Sequence, residues 1–267
     1  MTDVAERYGP WAVIAGASEG IGACLADELG SRGVHLVLIA RNAVLLEEVA
    51  AGVRERHGVE VRSVVLDLTV DDLEQRVASA TDGLEVGLVV YNAGASDRTS
   101  DFLDNELDYS LHQIALDCVG PVVLARHFGP AMRGRGRGGI VLVASLACVA
   151  GSATLAMYSG VKAFQHNFGE GLWAELEPHG VDVCVMPLGM TYTPALRRMG
   201  LEYDPRAHMT SEDVAREIVE NVGNGPVHVV GENNRAVAAQ VWTIDRRALV
   251  EMMSIASKDF ADKRSTS

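Results

Sequence analysis

Trp11-Ala12-Val13-Ile14-Ala15-Gly16-Ala17-Ser18-Glu19-Gly20-Ile21-Gly22, near the start of the chain, decides the fold. Five apolar residues in a row read as a short strand buried on both faces. Three glycines follow, and residues 21–32 then read as a helix. Gly16 permits a tight turn after the strand, and Gly20 and Gly22 let backbone and helix come close to a pyrophosphate. The helix N-terminus meets such an anion with its partial positive charge. Strand, glycine turn and helix in that order give the pattern its meaning, although the spacing is G-x-x-x-G-x-G rather than G-x-G-x-x-G. An ordinary strand-to-helix turn rarely needs three glycines, so the stretch predicts nucleotide binding, with Ser18, Glu19 and Ile21 beside the glycines.

A second apolar run at 34–40 predicts the next strand, and it ends at Arg41-Asn42. An acid at this strand end would hold the ribose hydroxyls of NAD. None is present. Arg41 is placed instead to pair with a 2′-phosphate, so NADP(H) is preferred and NAD(H) remains possible; the alternative for Arg41 is a solvated surface charge. A helix over 45–57 and a strand over 59–66 lead to Asp67-Leu68-Thr69. Asp67 either accepts hydrogen bonds from an adenine amino group or caps a helix beginning near Val70. A strand over 86–91 runs into Asn92-Ala93-Gly94, where Gly94 lets the chain turn beside a flat ligand and Asn92 pins the turn.

The chemistry is concentrated in Ser145-x12-Tyr158-x3-Lys162. Ser145 closes the apolar run 140–144, and a strand's C-terminal end is where open α/β sheets place their chemistry. Tyr158 and Lys162 share one face of a helix, whose expected buried stripe is Val161, Phe164, Phe168, Leu172 and Leu176. An ammonium one turn from a phenol favours the phenolate, and a Ser hydroxyl can hold a carbonyl or alcohol oxygen beside it. The trio reads as a proton-transfer site, although Tyr-x-x-x-Lys alone is common.

Strands and helices alternate along the rest of the chain, which favours one α/β domain over residues 1–267. Residues 102–132 are helical with a break near Asn105; long helices of this kind pair between subunits, which predicts a homodimer or homotetramer. A sixth strand at 181–186 precedes Pro187-Leu188-Gly189-Met190-Thr191-Tyr192-Thr193-Pro194, a strand-end loop in which Thr191 and Thr193 are placed to bond a carboxamide or pyrophosphate. Residues 195–209 mix Leu196, Met199, Leu201, Tyr203 and Met209 with Arg197 and Arg198, and read as a substrate lid, extending over about 190–222, or as a packed surface helix. A last strand at 227–230 and a helix at 236–257 complete the chain.

The length of 267 residues with 48% apolar content is ample for a core. The net charge of −13 argues against nucleic acid as the partner, and the basic tract 133–139 reads as a flexible loop. Cys24, Cys118, Cys148 and Cys184 form no Cys-x-x-Cys pair, so neither a metal site nor a disulfide framework is expected and a reducing cytoplasm fits. No run is long enough to span a bilayer, and no signal core opens the chain.

Gly16-x3-Gly20-x-Gly22, Asp67, Asn92-Ala93-Gly94, Ser145, Tyr158-x3-Lys162 and Gly189-x-Thr191-x-Thr193 stand in one order at one spacing. That set resembles the short-chain dehydrogenase/reductase family in its single-domain form, over roughly residues 10–232. The resemblance implies a Rossmann-type doubly wound parallel sheet of about seven strands with helices on both faces, an NADP(H) or NAD(H) cofactor, and hydride transfer at a carbonyl or alcohol carbon. By position, Tyr158 resembles the family's acid/base, Lys162 the residue that lowers its pKa and bonds the nicotinamide ribose, and Ser145 the substrate-orienting hydroxyl. The family's fourth relay member is an Asn; aligned on Gly120, this chain has Asp117, whose charge alters the site. Ala15 stands where Thr is usual and Leu188 where Pro is usual. Tyr8-Gly9-Pro10-Trp11-Ala12-Val13 and Gly83-Leu84-Glu85-Val86-Gly87 are similar to the branch of 17β-hydroxysteroid dehydrogenases and long-chain 3-oxoacyl-CoA reductases, which implies NADPH and a bulky hydrophobic ketone. The alternatives are an NAD(P)+-dependent secondary-alcohol dehydrogenase, which the same residues serve, and a cofactor-binding sensor without turnover, which Asp117 motivates.

Overall fold

The computed structural model describes residues 4–95, 98–198 and 202–265. In chain order the elements are α1 (Val4–Tyr8), β1 (Trp11–Ala15), α2 (Gly20–Ser31), β2 (His35–Ala40), α3 (Ala43–His57), β3 (Val61–Val65), α4 (Leu73–Ala80), β4 (Val86–Tyr91), α5 (Leu107–Ile114), α6 (Gly120–Arg135), β5 (Gly138–Ser145), α7 (Ala156–Leu176), β6 (Val181–Leu188), β7 (Thr191–Tyr192), α8 (Pro194–Arg198), β8 (Met209–Thr210), α9 (Ser211–Glu220), α10 (Glu232–Val241) and α11 (Arg246–Ser265). Six strands form one parallel sheet in the order β3-β2-β1-β4-β5-β6. The order reverses between β1 and β4, the switch point at whose C-terminal edge such sheets bind ligands.

Strand side chains alternate between the faces. Ala12 and Ile14 enter one core with Leu25, Leu29, Leu36 and Ile218; Trp11, Val13 and Ala15 enter the other with Val89, Leu124, Phe128 and Leu142. Both faces are covered, which is why the strands read as unbroken apolar runs.

The expected seventh strand is present as a segment, not as a ladder. Val185 and Val227 form one parallel bridge, and Val230 N–H donates to Pro187 O at 3.1 Å. Pro187 has no N–H to return, so the ladder lapses after that bridge. Other boundaries also differ from expectation. Asp67 does not cap a helix at Val70: its carboxylate accepts from the N–H and hydroxyl of Thr69 at 3.0 and 2.7 Å, and α4 starts only at Leu73. The single C-terminal helix is two, because Asp245 accepts from the N–H groups of Arg247 and Ala248 and so starts a second one. The basic tract is no flexible loop. Arg135 donates to Val86 O at 2.6 Å and Arg137 to Glu6 O at 3.0 Å.

Four of the five residues of the expected stripe on α7 do face inward: Val161 and Leu176 are buried and Phe168 and Leu172 pack against the core, whereas Phe164 does not. Ser159, Val161, Lys162, Gln165, Gly169 and Leu176 are buried, while Phe164 is exposed and stacks on Phe168. Gly169 permits this seating, since a Cβ there would lie 2.2 Å from Val185 Cγ2.

Glu217 of α9 ties the far edge together. Its carboxylate meets His228 Nε2 at 3.0 Å, accepts from Gly231 N–H at 3.0 Å, and pairs with Arg235. Burial pushes this carboxyl up, but the hydrogen bonds from Gly231, Arg235 and His228 and the charge of Arg235 outweigh it and hold it below its ordinary value. A depressed folded value means stability that is full above the ordinary value of 4.5 and lost as the pH falls through the folded one. Glu217→Gln is expected to lower Tm at pH 7 by about 2–4 °C, the shift produced by roughly 1 kcal/mol in a chain of this size. Thermal melts from neutral to acid pH should show the gap to wild type closing only in the acid range. A gap of constant size at every pH would refute the assignment.

Candidate active site

The glycine turn is built for close approach. Gly16 has φ +84°, and a Cβ on it would lie 2.8 Å from Ala93 N. Asn92 Nδ2 donates to Gly16 O at 2.9 Å and so pins the turn to the end of β4. Gly22 sits directly beneath, where a Cβ would lie 1.9 Å from Gly16 O. At the head of α2, Glu19 occupies the cap position without bonding the helix N–H groups. Its carboxylate instead accepts from Arg198 at 2.7 and 2.8 Å. Those bonds hold its carboxyl low despite partial burial, and they leave the helix N-terminus without a side-chain cap.

A cleft of about 840 Å³ opens over this turn. Gly16, Ser18, Glu19, Gly20 and Ile21 line its floor, Arg41, Asp67 and Leu68 one side, Asn92, Ala93 and Gly94 the other, with Asp117 and Thr193 further along. The volume lies within the roughly 300–1,000 Å³ of small-molecule and cofactor sites. Arg41 ends β2, and Asn42 next to it caps α3 by accepting from Val44 and Leu45 N–H groups. Burial pushes the Asp67 carboxyl up, yet the hydrogen bonds from Thr69 and the charges of Arg41 and His112 hold it low. An uncapped helix N-terminus over close-packed glycines is an arrangement that can receive a pyrophosphate, and Arg41 lines the same cleft. Gly189 and Thr191 stand back from the cleft. A Cβ on Gly189 would meet Asn234 Oδ1 at 2.2 Å, and Thr191 is buried in the β7–β8 pair opposite Met209. Met199 and Leu201 lie outside the described residues.

Ser145, Tyr158 and Lys162, the expected proton-transfer trio, do not line the cleft. Ser145, the last residue of β5, accepts from Ala147 N–H at 3.1 Å, which leaves its O–H free to donate elsewhere. Lys162 Nζ lies 5.7 Å from the centre of the Tyr158 ring. Nζ also bonds Asp117 Oδ1 at 2.9 Å and Gln165 Oε1 at 3.2 Å, while Gln165 Nε2 donates to the Asp117 main-chain carbonyl at 2.9 Å. Asp117, Lys162 and Gln165 are 1–2% exposed.

Asp117 reaches this position through a π turn, Ala115–Val119, inserted between α5 and α6. Tyr91 donates to Leu116 O and braces the turn; burial and the nearby Asp117 charge push its phenol well above the ordinary range. Two glycines make room. A Cβ on Gly94 would lie 1.9 Å from Asp117 Oδ1, and one on Gly120 would lie 2.1 Å from the Tyr91 hydroxyl oxygen. Sequence reasoning missed Gln165 and Tyr91. The available signal for Gln165 was its position three residues after Lys162, on the same helix face.

The short chain dehydrogenase family model matches residues 10–204, and the chain belongs to that family. It is 30% identical over 252 residues to the 7beta-hydroxysteroid dehydrogenase of Clostridium sardiniense, covering 92% of this chain and 94% of that one. It is 35% identical over 181 residues to the very-long-chain 3-oxoacyl-CoA reductase of Podospora anserina, covering 66% of this chain and only 53% of that longer protein. Among solved structures, a 7beta-hydroxysteroid dehydrogenase superposes with a TM-score of 0.87 at 26% identity, over 94% of this chain and 99% of that one. A short-chain dehydrogenase from Sphingobium yanoikuyae in complex with NADPH superposes with a TM-score of 0.78 at 27% identity, over 86% and 91%. The protein is therefore an oxidoreductase of the short-chain dehydrogenase/reductase family, similar to its hydroxysteroid dehydrogenase and 3-oxoacyl-CoA reductase branch. No helix among the described residues is long and apolar enough to cross a membrane.

Gln165→Leu removes the carboxamide and leaves the Asp117 carbonyl and Lys162 each short of a buried partner. Urea unfolding is expected to show a loss of about 1–3 kcal/mol, with kcat falling more than the KM for cofactor. Wild-type stability together with wild-type kcat would show that the network does not need this side chain.

Proposed function

We propose that this protein reduces a ketone on a bulky hydrophobic substrate, steroid-like or acyl, with NADPH as the preferred cofactor. The observation that carries the reading is that the cleft over the glycine turn runs to Asp117, the partner of Lys162, one helical turn from Tyr158. The NADPH held by a structural neighbour and the named activities of the relatives support the finer points.

NADPH, when bound over the glycine turn, would supply the hydride that the carbonyl carbon takes up. Ser145 donates its hydroxyl to the substrate oxygen, and Tyr158 gives that oxygen a proton as negative charge develops on it. Lys162 supplies positive charge behind the phenol, and Asp117 and Gln165 hold Lys162 in place. The α2 N-terminus and Ser18 receive the pyrophosphate, Arg41 the 2′-phosphate, and Asp67 with Leu68 the adenine. Of Gly189, Thr191 and Thr193, only Thr193 lines the cleft, and it is our assignment for the carboxamide or pyrophosphate. Of the segment 190–222 expected as a lid, α9 is seated in the core, and the part ahead of it is our assignment for the lid: α8 is strapped to the glycine turn by the Glu19–Arg198 pair, and Tyr203 packs between Tyr192 and His208. Closure over a reacting centre excludes water.

Tyr158→Phe should bind NADPH as wild type does and lose turnover by at least about 100-fold, the scale of acid–base catalysis. Arg41→Ala should weaken NADPH binding by about 10-fold, the worth of a charge-assisted contact, with NADH unaffected. Tryptophan-quenching titrations and NADPH-coupled ketone assays read both. Full activity in Tyr158→Phe would remove the assigned acid, and equal NADPH binding in Arg41→Ala would remove the cofactor argument.

The exposed apolar residues Leu107, Leu111 and Ile114 of α5, Val119 of the π turn and Val122 of α6 support pairing with a second copy of the chain. Sedimentation should find wild type dimeric or tetrameric and Leu111→Glu shifted towards monomer; a monomeric wild type would dispose of the idea.

A further inference from the structure

Thr154 is the one non-glycine among the described residues with a left-handed backbone, at φ +62°. A β-branched residue pays a steric penalty there and holds the conformation only where its surroundings force it. They do so here. Ala153 N–H donates to Ser254 Oγ at 3.0 Å and its carbonyl accepts from Ser257 Oγ at 2.6 Å, both from α11. The Thr154 carbonyl accepts from Ser100 N–H at 3.1 Å. The C-terminal helix thus holds a strained residue in the loop that leads into the Tyr158 helix.

Thr154 lines a small cavity which Tyr158 also lines, and which leaves about 20 Å³ for the centre of a water-sized sphere. Gln113 of α5, one turn before Asp117 and 5% exposed, lines both this cavity and the cofactor cleft. Two buried polar atoms among its walls have no protein partner, Gln113 Oε1 and Thr154 Oγ1. Buried polar groups without partners are rare and costly in native proteins, and a space above about 10–15 Å³ on this measure takes one oxygen.

We infer that this cavity is a subsite for a single hydroxyl group. One O–H satisfies both orphans: it donates to Gln113 Oε1, which only accepts, and it accepts from the Thr154 hydroxyl. A carbonyl or ether oxygen would leave Gln113 Oε1 unbonded, and a methyl group would leave both atoms unbonded. The hydroxyl belongs either to a water molecule or to the substrate itself, at a carbon other than the reacting one. The substrate alternative rests on the ketone-reductase reading above; the subsite does not, because its occupancy needs no turnover.

High-resolution crystals of the protein with NADPH, grown with and without a bulky hydroxyketone, provide the first test. One oxygen atom within hydrogen-bond distance of both Gln113 Oε1 and Thr154 Oγ1 is the expected result. Its absence in both crystals, or a Gln113 amide turned away to another partner, overturns the inference. The source is read from kinetics on the hydroxyketone and its deoxy analogue. Thr154→Val keeps the β-branched shape without the hydroxyl, and Gln113→Leu removes the acceptor. If the substrate provides the hydroxyl, both variants lower kcat/KM for the hydroxyketone by about 10-fold or more beyond any loss on the deoxy analogue, the cost of an orphaned hydrogen-bond partner. If water provides it, the oxygen is present without substrate and both ketones respond alike. Should Thr154→Val fail to fold, Gln113→Leu alone reads the same split. A protein that turns over no ketone but shows the oxygen would retire the activity reading and keep the subsite.

Discussion

The structure is arranged around one buried ion pair, Lys162 with Asp117. Two charges removed from water need each other, and removing one partner of such a pair typically costs about 3–5 kcal/mol. Everything near the pair serves it. Gln165 bonds both members, Gly94 leaves space for the carboxylate, and Tyr91 braces the turn that delivers it. The family places an uncharged Asn where this chain has Asp117. A carboxylate there obliges the ammonium to stay, so Lys162 is held by a countercharge rather than by a neutral hydrogen-bond partner.

A second constraint is charge at long range. The chain carries a net −13 yet has a cleft suited to a polyanion. Its positive groups are therefore local: the open head of α2, Arg41 at the end of β2, and Arg198 across the cleft. Arg198 spends its charge on Glu19, so the carboxylate nearest the glycine turn is already neutralised before an anion arrives. On the proposed cofactor reading, the acidity of the remaining surface disfavours other polyanions while these few groups act at close range.

Much of this was legible because parallel strands announce themselves. The runs at Trp11–Ala15, Val86–Tyr91 and Gly138–Ser145 are buried along almost their whole length, and each leads directly into a turn of the candidate site. What escaped did so for identifiable reasons. The last edge segment looked like a strand by composition, but Pro187 on its neighbour lacks the N–H that a ladder needs. Asp67 looked like a helix cap, but Thr69 offered it two closer donors. The apolar stripe assigned to α7 holds except at Phe164, but the buried polar residues beside it, Ser159, Lys162 and Gln165, went unread, because hydrophobic periodicity is blind to a buried charge network. The two C-terminal helices read as one, since a cap such as Asp245 differs little from any other surface Asp.

The π turn at Ala115–Val119 carries a consequence for how this chain can change over time. It is one residue more than an α-helix would use, and each residue of a helix turns the next by about 100°. Upstream of it, α5 presents Leu107 and Leu111 outward and Gln113 inward; downstream, α6 presents Val122 outward and Leu124 inward. Deleting one residue of the turn other than Asp117 would leave the Lys162–Asp117 pair's own side chains intact yet rotate one half of the rod against the other. Either the outward face or the carboxylate beside Lys162 would then point the wrong way. Substitutions along this rod can be accommodated one at a time, but its residue count cannot drift.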